Sequence, residues 1–146
     1  MEPHINSKTE NKKIKLDFKD SKYATGRRKK SIAKVWVKRG SGNIHVNGIK
    51  MADYFKKQNL QIAIFRPLSL VQRKNEFDVR CSVKGGGLSG QAGAIIHGLA
   101  RAIILFDPDL KIALKKEKLT TRDSRSVERK KYGRRKARRS FQFSKR

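Results

Sequence analysis

The C-terminal segment, residues 115–146, constrains the fold of this chain more than any other part of the sequence. It holds fifteen lysines and arginines and three acids, and its large apolar residues after Leu119 are Val127, Tyr132, Phe141 and Phe143. A segment of this composition buries too little apolar surface to offset the chain entropy lost on folding. We therefore predict a long extended basic tail that becomes ordered on its partner. The simpler alternative is a solvated tail that attracts polyanions nonspecifically.

The charge of the whole chain indicates the class of that partner. The sequence has 38 Lys and Arg against 12 Asp and Glu, a formal net charge of +26 on 146 residues. So large a positive charge favours a polyanion, either nucleic acid or an anionic membrane surface. A helix lying on a membrane needs a continuous apolar face, which the tail lacks, and no apolar run approaches the roughly 20 residues that span a bilayer. Nucleic acid is therefore the expected partner, with no membrane.

The length of the chain predicts one folded domain between two polar segments. We assign residues 22–114 to a globular domain and residues 1–21 to a polar, poorly ordered N-terminal extension. That extension mixes acids with lysines and has no apolar stretch, so it resembles neither a signal peptide nor a transit peptide. The single cysteine, Cys81, excludes a disulfide framework and is compatible with a reducing compartment.

Hydrophobic periodicity predicts strands and helices without regular βαβ alternation. Strands are expected at residues 32–37, 44–47 and 77–83, the first two joined as a hairpin. A helical turn is expected at residues 51–55 and a helix over residues 60–71, broken at Pro67 because proline lacks a donor. A long amphipathic helix then follows the glycine-rich segment. Asp107 and Pro108 are expected to open a last short helix, as N-cap and first helical residue. This mixture is typical of an α+β two-layer sandwich.

The glycine-rich segment before the long helix supports two interpretations. Gly85, Gly87 and Gly90 match the G-x-G-x-x-G pattern of dinucleotide-binding enzymes. That pattern also requires an acid at the end of a following strand, whereas Asp107 and Asp109 stand where a helix is expected to begin. A nucleotide-dependent enzyme is therefore the weaker hypothesis. The glycines let an RNA phosphate approach backbone N–H groups, or they only permit a tight strand-to-helix crossing.

No other set of residues indicates catalysis or metal binding. His4, His45 and His97 have no carboxylate or cysteine at ligand spacing, and we find no base paired with Ser89 or Cys81. His97, on the polar flank of the long helix, faces either RNA or solvent. We therefore expect no enzyme activity, no metal and no cofactor.

Two basic segments are the candidate nucleic-acid contacts. One is a run of four cations before the first expected strand, which contacts phosphates or forms a solvated turn: Arg27, Arg28, Lys29 and Lys30. The other is the tail, where cations that neutralise phosphates are interleaved with aromatic residues that can stack on unpaired bases. Its candidate residues are Arg122, Arg125, Arg129, Lys130, Lys131, Arg134, Arg135, Lys136, Arg138 and Arg139.

Three separated blocks of the sequence resemble the small-subunit ribosomal protein nine family, of bacterial or organellar type. The first block is Tyr23-Ala24-Thr25-Gly26-Arg27-Arg28-Lys29, with Ile44-His45-Val46-Asn47-Gly48 and Asp53-Tyr54-Phe55. The second block is Gly85-Gly86-Gly87-Leu88-Ser89-Gly90-Gln91-Ala92-Gly93-Ala94-Ile95. The third block holds Arg125, Glu128-Arg129-Lys130-Lys131-Tyr132-Gly133, Ala137-Arg138-Arg139 and Gln142-Phe143-Ser144-Lys145-Arg146. The blocks occur in the family's order across about residues 23–146.

The resemblance implies a fold, a location and a role. The fold is a sandwich like the second domain of ribosomal protein five, and the location is the head of the small ribosomal subunit. The expected partners are the 3′ domain of the small-subunit rRNA, neighbouring head proteins and the peptidyl-site tRNA. The location would be the cytoplasm, or an organellar ribosome if the protein is made there. One departure is Ser124, where many relatives have proline.

The resemblance also implies site residues. The glycine segment is expected to contact rRNA through Gly85, Gly86, Gly87, Ser89 and Gln91, and the tip of the tail is expected to contact tRNA through Ser144, Lys145 and Arg146. The alternative within the RNA-binding class is a free-standing RNA-binding protein or RNA chaperone.

Overall fold

The computed structural model describes residues 19–145, which contain a mixed five-stranded sheet and four α-helices. The strands are β1 (Lys22–Arg28), β2 (Ser31–Arg39), β3 (Ile44–Val46), β4 (Ile49–Lys50) and β5 (Phe77–Lys84). The helices are α1 (Met51–Tyr54), α2 (Gln58–Leu70), α3 (Leu88–Phe106) and α4 (Lys111–Lys116), with a 3-10 turn at Pro108–Leu110. The predicted α+β class is confirmed, whereas the likeness to ribosomal protein five stays a prediction. Most of the predicted N-terminal extension, and Arg146, lie outside the described residues.

The strand order corrects the predicted hairpin. In the sheet the order is β1-β2-β5-β3-β4, so β5 lies between β2 and β3, and β3 pairs with β5 in parallel. The connection after β2 is fixed onto β5 because the Asp78 carboxylate accepts the N–H groups of Ser41 and Asn43, both at 2.9 Å. Asn47 then binds both backbone groups of Val83 through its side chain, which fixes β3 beside β5.

The true hairpin joins β2 to β1, a strand that periodicity did not indicate. β1 pairs antiparallel with β2, from Arg28 opposite Ser31 to Lys22 opposite Val37. The buried side of β1 holds Ala24 and Gly26, which are too small to give a strong apolar alternation. The sequence signal for β1 was therefore weak.

The core lies between one face of the sheet and the long helix. Ala33, Val35 and Val37 of β2 are fully buried on that face, and β5 contributes Val79, Cys81 and Val83 in the predicted alternation. They pack against the buried stripe of α3, which includes Ile95, Leu99 and Ile103. Each such side chain contributes about 1.5–3 kcal/mol when it is fully buried.

By length and composition alone, helix α3 is long and apolar enough to cross a membrane. We had expected no apolar run of that length from the sequence. It has 19 residues, and its buried residues face β1, β2 and α2. The apolar character of α3 is therefore accounted for by its place as the core helix of the domain.

Two helix predictions were changed by tertiary contacts. Helix α2 continues through Pro67 instead of breaking there, and Pro67, Ile64 and Leu68 are all buried in the core. This burial offsets the backbone hydrogen bond that proline cannot make. Asp107 does precede Pro108 at a helical start, but its carboxylate pairs with Arg73 instead of capping the turn.

Candidate nucleic-acid interface

The basic turn between β1 and β2 lies against the glycine-rich segment. The chain reverses at Lys29, whose φ is +50°, and Ser31 follows as a buried first residue of β2. The Ser31 hydroxyl donates a hydrogen bond to the Gly85 carbonyl at 3.0 Å. Residues far apart in sequence thus place the backbone of the glycine segment next to Lys29 and Lys30.

A second chain of hydrogen bonds fixes the same segment from the helix side. Gln91 Nε2 donates to the Gly85 carbonyl at 3.2 Å, and the Tyr54 hydroxyl donates to Gln91 Oε1 at 2.8 Å. Gln91, a predicted rRNA contact, is therefore engaged in holding the loop that precedes α3. Its direct contact with RNA stays a prediction.

The glycines of this segment differ in whether the fold requires a residue without a side chain. Gly85 and Gly86 have φ of +74° and +63°, a region that favours glycine, and a Cβ on Gly90 would lie 2.8 Å from the Ser31 hydroxyl oxygen. Backbone conformation and packing therefore explain these three glycines without a ligand, which supports the tight-crossing interpretation. Gly87 has no such requirement, because a Cβ there would meet no atom within 4 Å. It leaves open space at the N-terminus of α3, where backbone N–H groups attract anions.

A groove of about 660 Å³ brings the two predicted basic segments and the glycine segment together. The turn, the glycine segment and the tail each contribute to its lining, which consists of Lys29, Lys30, Gly86, Gly87, Ser126, Val127, Glu128 and Arg129. Three cations against one acid, beside the N-terminal end of α3, make this groove suitable for phosphate oxygens.

Arg28 differs from its neighbours in the basic run because its side chain contacts the tail. Its guanidinium pairs with Asp123 at 3.0 Å and donates to the Arg125 carbonyl at 2.8 Å, so it attaches the start of the tail to β1. Hydrogen bonds from the Arg125 side chain, with its backbone N–H and the charge of Arg28, hold the pKa of the Asp123 carboxyl well below its ordinary value. Arg28 remains a predicted rRNA contact, but the folded chain already engages it.

His97 attaches the tail at a second point. The Arg27 N–H donates to His97 Nδ1 at 3.2 Å, so Nε2 carries the ring proton and donates to the Thr120 carbonyl at 3.2 Å. The predicted alternatives for His97, RNA or solvent, are replaced by a half-buried contact within the chain.

This contact should make stability depend on pH. Burial lowers the pKa of His97, and the charges of Arg101 and Arg122 act in the same direction against the opposing hydrogen bonds. The unfolded chain therefore binds the proton more readily than the folded chain. The stability that this contact contributes should be complete above about pH 6.5, and the free energy of unfolding should fall as the pH drops below that value. Urea unfolding between pH 7.5 and 5 measures this, and His97→Gln should remove the dependence. An equally steep dependence in His97→Gln would contradict the assignment.

The tail from Arg125 to Lys145 is exposed except at Ala137, and residues 117–145 contain no helix or strand. Arg138 pairs with Glu128 at 2.8 Å, a hydrogen bond that lowers the pKa of Glu128, and the Arg135 guanidinium lies 5.6 Å from the Phe141 ring centre. An exposed ion pair is weak because water screens both charges, so the Arg138 guanidinium is free to exchange this carboxylate for a phosphate. Tyr132 and Phe143 are almost fully exposed.

The described residues offer little for catalysis. Burial raises the pKa of the Cys81 thiol to about 12, so it is a core residue and not a nucleophile. Within residues 19–145 no group of three or more His, Cys, Asp or Glu residues could hold a metal ion.

The sheet also has a face that the sequence prediction did not single out. Tyr23 and Trp36 lie next to each other on the side opposite the helices, their ring centres 5.3 Å apart, with Arg80 over Trp36. The alternation of β2 was visible in the sequence, but the pairing that brings Tyr23 and Arg80 to Trp36 was not.

The family comparison agrees with this geometry. The family model described as ribosomal protein S9/S16 matches residues 26–146, which include the basic turn, the glycine segment and the whole tail. Proteins of this family are structural constituents of the small ribosomal subunit, bind rRNA and are in general not enzymes. The match covers far more than half of the chain, and the chain therefore belongs to the ribosomal protein S9/S16 family.

Proposed function

We propose that this protein binds the 3′ domain of the small-subunit rRNA in the head of the subunit and reaches the peptidyl-site tRNA with the tip of its tail. The observation that carries the proposal is the exposed row of tail cations on a chain of this family. Each cation that neutralises a phosphate releases counterions, which makes binding strong and dependent on salt. The contribution is positional and electrostatic, with no chemical step.

The globular domain and the tail have separate parts in the proposal. The groove that contains Lys29, Lys30 and Gly87 would hold rRNA phosphates and so fix the position of the domain. The Arg28 and His97 contacts fix where the tail leaves the domain, so its direction is set before RNA binds. The tail beyond Arg125 would thread between RNA helices, where a globular domain does not fit.

The assignment of the tail tip to tRNA follows from the family resemblance, and the charge and length of the tail support it. Lys145 and Arg146 are adjacent cations, and Ser144 precedes them in the sequence. In an extended chain each residue spans at most roughly 3.5 Å, so the twenty residues after Ser126 can reach a second RNA. Neighbouring head proteins complete the proposed surroundings, in a cytoplasmic or an organellar ribosome.

Replacing Lys145 and Arg146 together by alanine tests the assignment to tRNA. We expect assembly of the small subunit to proceed and the affinity of purified subunits for peptidyl-site tRNA to fall several-fold, because two phosphate contacts are lost. The measurement is filter binding of labelled tRNA at several salt concentrations. The matched control is Lys115→Ala with Lys116→Ala at the end of α4, which removes the same charge far from the tip. Equal tRNA affinity in the two variants would contradict the assignment of the tail tip to tRNA.

Sedimentation separates this proposal from a free-standing RNA chaperone. A tagged full-length chain should remain with small subunits after a moderate salt wash. Recovery of the chain only in the ribosome-free fractions would contradict the proposal.

A further inference from the structure

The side of the sheet opposite the helices forms a surface of defined composition, which we call the open face. Side chains alternate across a strand, so the residues between the buried positions of β1, β2 and β5 share this face. The pairing register places Trp36 between Tyr23 and Arg80, Ile32 beside Lys84, and Lys34 opposite Ser82. No helix of the described residues covers it, because α3 and α2 lie on the other side.

Two aromatic rings form the centre of the open face. The Tyr23 and Trp36 ring centres are 5.3 Å apart at an interplanar angle of 39°, and the Arg80 guanidinium lies 5.6 Å from the Trp36 ring centre. Tyr23 is 44% exposed and Ile32 is 43% exposed, so apolar and aromatic surface faces outward. Aromatic rings and an arginine plane arranged in this way present flat surfaces on which a planar group stacks.

A groove of about 330 Å³ lies alongside the rings. It is lined by Ile32, Lys34, Trp36, Ser82 and Lys84. Its volume falls within the roughly 300–1,000 Å³ of small-ligand pockets. The lining of the groove therefore combines apolar and aromatic side chains with two lysines.

The charge around the open face is almost entirely positive. Asp78 is the one acidic residue in the five described strands, and its carboxylate accepts the backbone N–H groups of Ser41 and Asn43 at the end of the sheet. Lys34 and Lys84 line the groove together with Trp36. This charge is complementary to a polyanion and repels a basic protein surface.

We propose that the open face binds unpaired RNA nucleotides, with a base stacked on Trp36 and Tyr23 and the flanking phosphates held by Lys34 and Lys84. This inference rests on the proposed rRNA-binding function and adds the kind of RNA and the surface that binds it. Bases in a duplex are stacked on one another and expose no ring face, whereas splayed-out single-stranded bases stack on aromatic side chains. The occupant is therefore a single-stranded segment and not a helix.

The sequence supplies a built-in probe, because Trp36 is the only tryptophan. Its fluorescence therefore reports on the open face alone. The full-length chain is titrated with a labelled single-stranded oligoribonucleotide of about ten nucleotides, a length that such surfaces accommodate. Anisotropy of the label detects binding anywhere on the chain, while quenching of Trp36 detects stacking on the open face. We expect quenching of Trp36 to accompany the rise in anisotropy.

Variants of the open face test the residues. Tyr23→Leu, and Lys34→Gln combined with Lys84→Gln, should each weaken oligonucleotide binding about fivefold or more and reduce the quenching. The control for the double variant is Lys115→Gln with Lys116→Gln in α4, which removes the same charge away from the open face. Circular dichroism of each variant verifies the fold before titration.

The outcomes separate this inference from the proposed function. Anisotropy changes without Trp36 quenching, with unchanged affinity in the open-face variants, would overturn the inference and leave rRNA binding through the tail intact. Equal quenching by duplex RNA or by polyphosphate would overturn stacking as the mode of binding. Quenching by an acidic peptide but not by RNA would assign the surface to a protein partner. Absence of any anisotropy change would contradict the proposed function itself.

Discussion

Replacing eight tail cations by glutamine is expected to lower the affinity for small-subunit rRNA by about three orders of magnitude at physiological salt. The residues to change are Arg129, Lys130, Lys131, Arg134, Arg135, Lys136, Arg138 and Arg139. The physical reason is counterion release: a protein with six to ten phosphate contacts loses roughly 10³–10⁵ in affinity between about 50 and 200 mM salt. Removing most of these contacts should both weaken binding and flatten its dependence on salt. The measurement is filter binding to a transcript of the 3′ domain at several salt concentrations.

The control for this variant neutralises the same number of charges on the folded part of the chain, which includes helix α4 and the turn that follows it. Suitable exposed lysines are Lys50, Lys56, Lys57, Lys74, Lys111, Lys115, Lys116 and Lys118. We expect a much smaller loss of affinity, because a globular surface touches fewer phosphates than an extended chain among RNA helices. Identical salt dependence of binding in the two variants would show that net charge alone determines the affinity and that the tail contributes no more than other cations of the chain.

Gly26→Ala is expected to destabilise the folded domain by about 3 kcal/mol or more. A Cβ on Gly26 would overlap the Ala94 carbonyl oxygen and the Gly98 nitrogen, and both are backbone atoms of α3 that cannot move aside without displacing the helix. Overpacking of a core costs typically 1–3 kcal/mol, and more where backbone must shift. Urea unfolding followed by circular dichroism measures the change in free energy.

Gly87→Ala is the matched control. Its backbone is extended at φ −103° and ψ 169°, and a Cβ there would meet no atom within 4 Å. Stability should therefore stay within about 0.5 kcal/mol of the native chain. If Gly26→Ala were as stable as Gly87→Ala, the close approach of β1 and α3 would not be required by the fold.

The two glycine variants also separate structure from RNA binding. Gly87 leaves space at the start of α3 for an anion, so a larger side chain there is expected to affect RNA affinity more than stability. Gly26 lies inside the domain and is expected to affect stability first. The glycine pattern of the sequence alone did not distinguish these two roles.

Much of the site was predictable, because it depends on charge and local pattern. The density of cations after Lys118 predicts exposure, since such a segment has nothing to bury. The strict alternation from Phe77 to Lys84 predicts a half-buried strand, and β5 is that strand. The apolar spacing after Leu88 predicts a core helix, and α3 is that helix.

The missed features all depend on contacts between distant residues. Arg28 was predicted to bind RNA, and its partner Asp123 lies 95 residues away. His97 binds Arg27 and Thr120, which are 70 and 23 residues away. No periodicity carries information about such pairs, because each depends on how β1 and α3 pack.

The sequence by itself determined which parts the protein has, namely a basic tail without a core and a domain with one buried helix. It also determined the family to which the chain belongs. Only the tertiary structure decided their arrangement, including the insertion of β5 between β2 and β3, the points where the tail joins the domain, and the aromatic open face around Trp36. The reason is the range of the forces involved. Burial and charge act residue by residue and so appear in local pattern, whereas strand order and side-chain pairing arise from hydrogen bonds and packing that form only when the chain closes on itself.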